Sequence, residues 1–139
     1  MGKIEITKKV LGICATNCYT VVDTETKEAL IIDPADRADV LIRDWKDKGV
    51  TPTAVLLTHG HFDHIGALAG VKKEYPEIRV YAAAEEKEVM ESPALNLSSS
   101  FGAAFTAQAD IYLEDGAEIE VLGRKCKCLL VPGHTKGGM

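Results

Sequence analysis

Thr58-His59-Gly60-His61-Phe62-Asp63-His64-Ile65-Gly66 decides how this chain is read, because it gathers three of the four histidines into six residues. It follows Ala54 to Leu57, an apolar run too short for a helix and read as a buried strand. After it, Ile65, Leu68, Ala69 and Lys72 to Tyr75 predict a helix stopped by Pro76. The histidines therefore stand at a strand-to-helix junction. In an extended or looping segment, residues two apart point the same way, so His59 and His61 can grip one cation from one side. Asp63 and His64 lie where the chain turns into the helix and project differently, which makes a second cation a few ångströms away their natural recipient. Asp63 is expected to offset the positive end of the helix dipole and to cap the helix. A His-x-His pair alone is more often structural than ligating. Three histidines with an aspartate, and Gly60 and Gly66 relieving the crowding, favour a metal site.

His134 supplies a third donor for the first position. It follows Val131-Pro132-Gly133 at the end of a predicted strand, on a tight turn of the kind that holds a side chain over a pocket. Three neutral imidazoles on one zinc leave a fourth position for water, whose pKa falls to about 7, so hydrolysis is the chemistry this arrangement suits.

Working outward, the chain of 139 residues is 46% hydrophobic, 27% charged and 6% aromatic, which describes one soluble globular domain. The first third predicts strands at Ile4 to Val10, Cys18 to Asp23 and Ala29 to Asp33, simplest as a meander. Ala38, Leu41, Ile42 and Trp45 recur at helical spacing before Gly49 and Pro52. Beyond Pro76 the pattern predicts a strand at Ile78 to Ala82, a Glu-rich helix at Ala84 to Met90 and a loop-rich stretch at Pro93 to Ala107. Strands at Ile111 to Leu113, Glu118 to Leu122 and Lys125 to Val131 follow, so the class is α/β or α+β. With 21 acidic and 16 basic residues the net charge is −5, which argues against a nucleic-acid partner. The N-terminus carries no apolar run that reads as a signal peptide, and no stretch has the length of a membrane span. A cytoplasmic location is expected. Cys14, Cys18, Cys126 and Cys128 lack the two-residue gap of a four-cysteine zinc site and are expected as reduced, partly buried thiols.

The histidine string and the Pro132-Gly133-His134-Thr135 turn together resemble the metallo-β-lactamase superfamily, and within it the glyoxalase II-like, hydroxyacylglutathione hydrolase-related enzymes. Asp33-Pro34, Leu95-Asn96-Leu97-Ser98 and Asp115-Gly116 extend the resemblance along most of the chain. It implies the N-terminal portion of an αβ/βα sandwich. It also implies a first metal on His59, His61 and His134 and a second on Asp63 and His64, with Asp63 positioning the metal-bound water or hydroxide. Asp33 and Thr58 would orient these ligands from behind, although Asp33 before Pro34 also suits an ordinary turn cap. Zinc is the expected ion, one or two per chain, with iron or manganese as alternatives.

The resemblance also exposes a shortfall. The family places a bridging aspartate and a further histidine beyond Pro-Gly-His-Thr, and neither occurs before Met139. Residues 1–139 are therefore expected to form a single, C-terminally incomplete domain that holds at most one metal tightly, at His59, His61 and His134. As a fragment it should be weakly active or inactive, and an uncovered sheet face should drive it to self-associate. For the intact protein the implied function is hydrolysis of a thioester such as a hydroxyacyl-glutathione, or of a related small ester. A mononuclear iron persulfide dioxygenase and a non-catalytic metal-binding module are the alternatives. The superfamily name describes a scaffold and does not itself imply β-lactam hydrolysis.

Overall fold

The structure, a computed structural model, describes residues 3–101, 104–131, 135 and 137–139. Six strands form one mixed sheet in sequence order: β1 (Ile4–Leu11), β2 (Thr16–Asp23), β3 (Glu28–Ile32), β4 (Thr51–Leu56), β5 (Arg79–Ala83) and β6 (Ile111–Leu113). The first three are the expected antiparallel meander, and β3 to β6 run parallel. Helices α1 (Ala38–Asp47) and α3 (Leu68–Glu74) pack together on one face of the sheet. Ile31, Val55 and Val80 meet Leu41, Trp45 and Val71 there. The intervening residues Leu30, Ala54 and Tyr81 turn to the opposite face, as the two-residue period of a strand dictates. Both faces of the parallel strands are thus covered, which explains their nearly unbroken apolar runs.

The second face is covered by the hairpin of β7 (Ala117–Val121) and β8 (Arg124–Cys128). Leu122 and Gly123 link these strands, both with positive φ, the combination that matches the twist of a two-residue hairpin. Arg124 Nη1 donates to Asp23 Oδ2 at 2.7 Å and fastens the hairpin to the end of β2. The apolar face expected to lie bare is therefore partly occupied by the chain's own strands. Ile4, Ile6 and Val10 on the edge strand β1 stay exposed, as do Leu129 and Val131 beyond β8.

Several boundaries differ from the sequence pattern. Instead of starting at Ala54, β4 includes Thr51 and Pro52, and a register shift beside Ala29 and Leu30 absorbs the proline. Strand β8 stops at Cys128 rather than Val131. The single helix expected after the histidines is two pieces, α2 (Phe62–Ile65) and α3. At the break Ala67 N–H donates to Pro34 O at 2.9 Å, and a Cβ on Gly66 would lie 2.3 Å from Ala35 O. Close contact with the Asp33–Ala35 turn interrupts the helix there. All four cysteines are free, Cys14 exposed rather than partly buried, and burial pushes the Cys18 thiol up to about 12. No helix among the described residues is long and apolar enough to cross a membrane.

Candidate metal centre

The site lies at the carboxyl edge of β3, β4 and β5, where parallel strands leave a crevice for ligands. The chain leaving β4 carries Thr58, His59 and His61, and α2 carries Asp63 and His64. Ligand atoms of His59, Asp63 and His64 lie within 4.8 Å of one another. The His59 ring is 3.9 Å from that of His64 and 5.0 Å from that of His61, centroid to centroid. His59 thus stands between the two donors that the sequence assigned to different ions.

Asp33 organises this group from behind. Its residue adopts φ 53°, outside the usual region for a side chain with a Cβ, and its own N–H is held by Leu56 O at 3.2 Å. The buried carboxylate accepts Thr58 N–H at 2.8 Å and the Thr58 hydroxyl at 2.5 Å, and its Oδ2 meets His64 Nδ1 at 2.7 Å. These partners are 25 and 31 residues away in sequence, so the carboxylate reaches across the site instead of capping its own turn. Since Thr58 spends its proton on Asp33, its oxygen is left to accept from His59 Nδ1, 3.2 Å away. One carboxylate therefore assigns Nδ1 as the donor nitrogen of both His59 and His64 and leaves the Nε2 lone pair of each ring as the acceptor.

His64 Nε2 faces Asp63 Oδ2 at 3.3 Å. Burial alone would favour the neutral His64 ring, but the hydrogen bond to Asp33 and the charges of Asp33 and Asp63 together hold its pKa above the ordinary value. A lone pair aimed at a carboxylate needs a proton or a metal cation between them. Donors around one zinc-sized ion sit about 3.4 Å apart in tetrahedral geometry, so the observed grouping needs little contraction to hold one. The donor set of imidazoles and a carboxylate fits a divalent metal.

Three supporting residues carry no local sequence signal for the roles they take. Thr16, buried at the start of β2, donates its hydroxyl to Asp63 Oδ2 at 2.8 Å across 47 residues of sequence. This replaces the expected helix cap: no side chain among the described residues caps α2, and Asp63 is held from β2. Asn96, fully buried, accepts Phe62 N–H on its backbone carbonyl at 2.8 Å, and its amide donates to Phe105 O at 2.9 Å. Glu86, also fully buried, accepts Gly60 N–H at 2.6 Å. Beside Asp63 opens a cleft of about 300 Å³ walled by Leu11, Ile13, Phe62, Phe101 and Phe105. The Phe62 and Phe101 rings stack there at 4.7 Å. His134 lies outside the described residues.

A family model described as the metallo-beta-lactamase superfamily matches residues 11–139. A protein of Bacillus subtilis named as a probable metallo-hydrolase is 35% identical over 131 residues, covering 93% of this chain and 61% of its own length. A hydroxyacylglutathione hydrolase of Photobacterium profundum is 31% identical over 121 residues, covering 87% and 40%. This chain thus spans about three fifths of the first relative and two fifths of the second. Among solved structures, the BLEG-1 B3 metallo-beta-lactamase superimposes with a TM-score of 0.89 at 36% identity, covering 96% of this chain and 65% of that one. A protein crystallised in a di-iron-bound form gives 0.76 at 30%, covering 95% and 64%. A class B3 di-zinc metallo-beta-lactamase from an Alaskan soil metagenome gives 0.70 at 28%, covering 88% and 48%.

Proposed function

Because this chain belongs to the metallo-β-lactamase superfamily, we propose that it is the metal-holding part of a hydrolase acting on a thioester of the hydroxyacyl-glutathione type, or on a related small ester. The observation that carries the proposal is the convergence of His59, Asp63 and His64, with Asp33 hydrogen-bonded to Thr58 and His64 behind them. His61 and His134 complete the donor set in this reading, with Thr58 passing the orientation of Asp33 on to His59. A divalent cation held by these donors would supply Lewis acidity toward a carbonyl and toward water near neutral pH. Asp63, held by Thr16, would orient the attacking water. The apolar cleft beside Asp63 takes the acyl group, and a thiolate leaves without a strong acid to protonate it. Zinc is the ion proposed, with iron as the alternative that the di-iron neighbour supports.

The test is thioester cleavage by the full-length protein containing this sequence, reloaded with zinc, iron or manganese. Metal-dependent thiol release that disappears in Asp63→Asn supports the proposal. Absence of turnover with every metal and thioester tried defeats it. Because it spans about three fifths of its Bacillus subtilis relative, the 139-residue chain by itself is proposed to be weakly active or inactive. Its exposed Ile6, Val10, Leu129 and Val131 give it a surface for self-association, which a single 15.0 kDa species by light scattering would exclude.

A second reading has its own support. His59, His64 and Asp63 are two histidines and one carboxylate, the set that binds non-haem iron with open positions. A persulfide dioxygenase would use it so, and iron content together with oxygen uptake on a persulfide substrate distinguishes the two.

A further inference from the structure

Glu86 is buried to 0% exposure in the 3-10 turn Ala84–Glu86 that follows β5, yet its carboxylate lies outside the ligand group. Each oxygen takes one backbone amide: Oε1 accepts Gly60 N–H at 2.6 Å, and Oε2 accepts Gly137 N–H at 2.9 Å. Gly60 separates His59 from His61, and Gly137 stands three residues past His134 in sequence. Both glycines are pressed on Glu86 and its neighbour. A Cβ on Gly60 would lie 2.6 Å from Met90 Cγ, and one on Gly137 would lie 2.6 Å from Glu86 N and Oε2. The same two segments are joined again where Met139 N–H donates to Thr58 O at 2.8 Å. Val131 N–H donates to Gly138 O at 2.6 Å.

A buried carboxylate is expensive unless its oxygens are satisfied, and here two amides from distant segments satisfy it. We propose that Glu86 is a positioning residue: its carboxylate brackets the backbone between His59 and His61 to Gly137 and so sets how the loop carrying these two histidines is held. The proposal rests on the metal-binding reading above for its consequence, and on the two hydrogen bonds alone for its geometry. Glutamine offers one acceptor and one donor group, so Glu86→Gln keeps one amide and opposes the other, whereas Glu86→Ala abandons both.

The experiment uses the 139-residue chain in two measurements on the wild type, Glu86→Gln, Glu86→Ala and Met90→Leu. Amide hydrogen exchange at Gly60 and Gly137 in the metal-free chain reads the bracket itself. Visible absorption during Co²⁺ titration reads the ligand geometry. Expected are exchange at least about tenfold faster at one glycine in Glu86→Gln and at both in Glu86→Ala, with Co²⁺ binding about tenfold weaker and its bands shifted. Met90→Leu packs the same space without touching either amide and should stay within about twofold of wild type in both. Should Glu86→Ala be unfolded, Glu86→Gln decides the matter. Unchanged exchange, or unchanged Co²⁺ affinity and bands in a Glu86→Gln chain that wild type shows to be metal-competent, overturns the proposal. Failure of wild type to bind Co²⁺ defeats the metal-binding reading instead, and amide exchange still decides the bracket.

Discussion

Asp33→Asn removes a charge without changing shape, and the hydrogen bonds around it dictate the outcome. Asparagine Oδ1 can still accept Thr58 N–H, held at 2.8 Å in wild type. Its amide nitrogen then faces the Thr58 hydroxyl and His64 Nδ1, both of which now give their protons to Asp33. Two donors cannot share that space, so His64 must move its proton to Nε2, the nitrogen aimed at Asp63. That is the atom required for a metal. Replacing carboxylates that orient ligating histidines lowers metal affinity about 10–100-fold, which is about 1.4–2.7 kcal/mol. Loss of one charge-assisted hydrogen bond, worth about 1.5–3 kcal/mol, independently gives the same range. Competition with a chelator of known affinity measures the drop, and imidazole nitrogen NMR of the metal-free chain reads the tautomer. Wild-type affinity, or His64 still protonated at Nδ1 in Asp33→Asn, refutes the orienting role derived for Asp33.

Thr16→Val keeps the buried volume but frees Asp63 Oδ2 from its 2.8 Å hydrogen bond; metal affinity should fall several-fold with little change in the melting temperature, and Thr16→Ser should restore it. The Arg124 hydrogen bond, aided by the Glu25 and Thr26 amides, holds the Asp23 carboxyl below its ordinary pKa. Stabilisation from a depressed carboxylate is fully present above its unfolded value of about 3.9 and is lost as pH falls through the folded one. The melting-temperature gap between wild type and Arg124→Ala should therefore be wide near neutrality and close below about pH 4. Elemental analysis after reloading and dialysis should find one tightly bound ion per 139-residue chain, lost in His59→Ala; two tightly held ions would contradict this.

Much of the fold was legible because its elements are locally encoded. The meander and the Trp45 helix announce themselves through periods of two or about 3.6 residues, the parallel strands through short, nearly unbroken apolar runs, and α1 ends where Gly49 permits a positive φ. The departures share one cause. Pro52 enters β4 because a register shift accommodates it, and the helix after the histidines breaks because Gly66 is pressed against the Ala35 carbonyl. Neither contact leaves a trace in the local pattern, since each is set by a neighbour that the chain reaches only after folding.

The site divides along the same line. Donor atoms can be read from spacing, because a metal needs several of them within one turn or loop, and His59, Asp63 and His64 do converge. The groups that aim those donors need no sequence proximity at all. Asp33 was visible only because an aspartate before a proline at a strand end is conspicuous, and in the structure its carboxylate reaches Thr58 and His64. Thr16 and Glu86 are chemically ordinary, and they act over 47, 26 and 51 residues of sequence on Asp63, Gly60 and Gly137. Rotating an imidazole or a carboxylate by a few tens of degrees suffices to lose a metal–ligand bond. Asp33, Thr16 and Glu86 hold the candidate donors without belonging to that group, and substitutions there should separate a chain that merely folds from one that binds a metal.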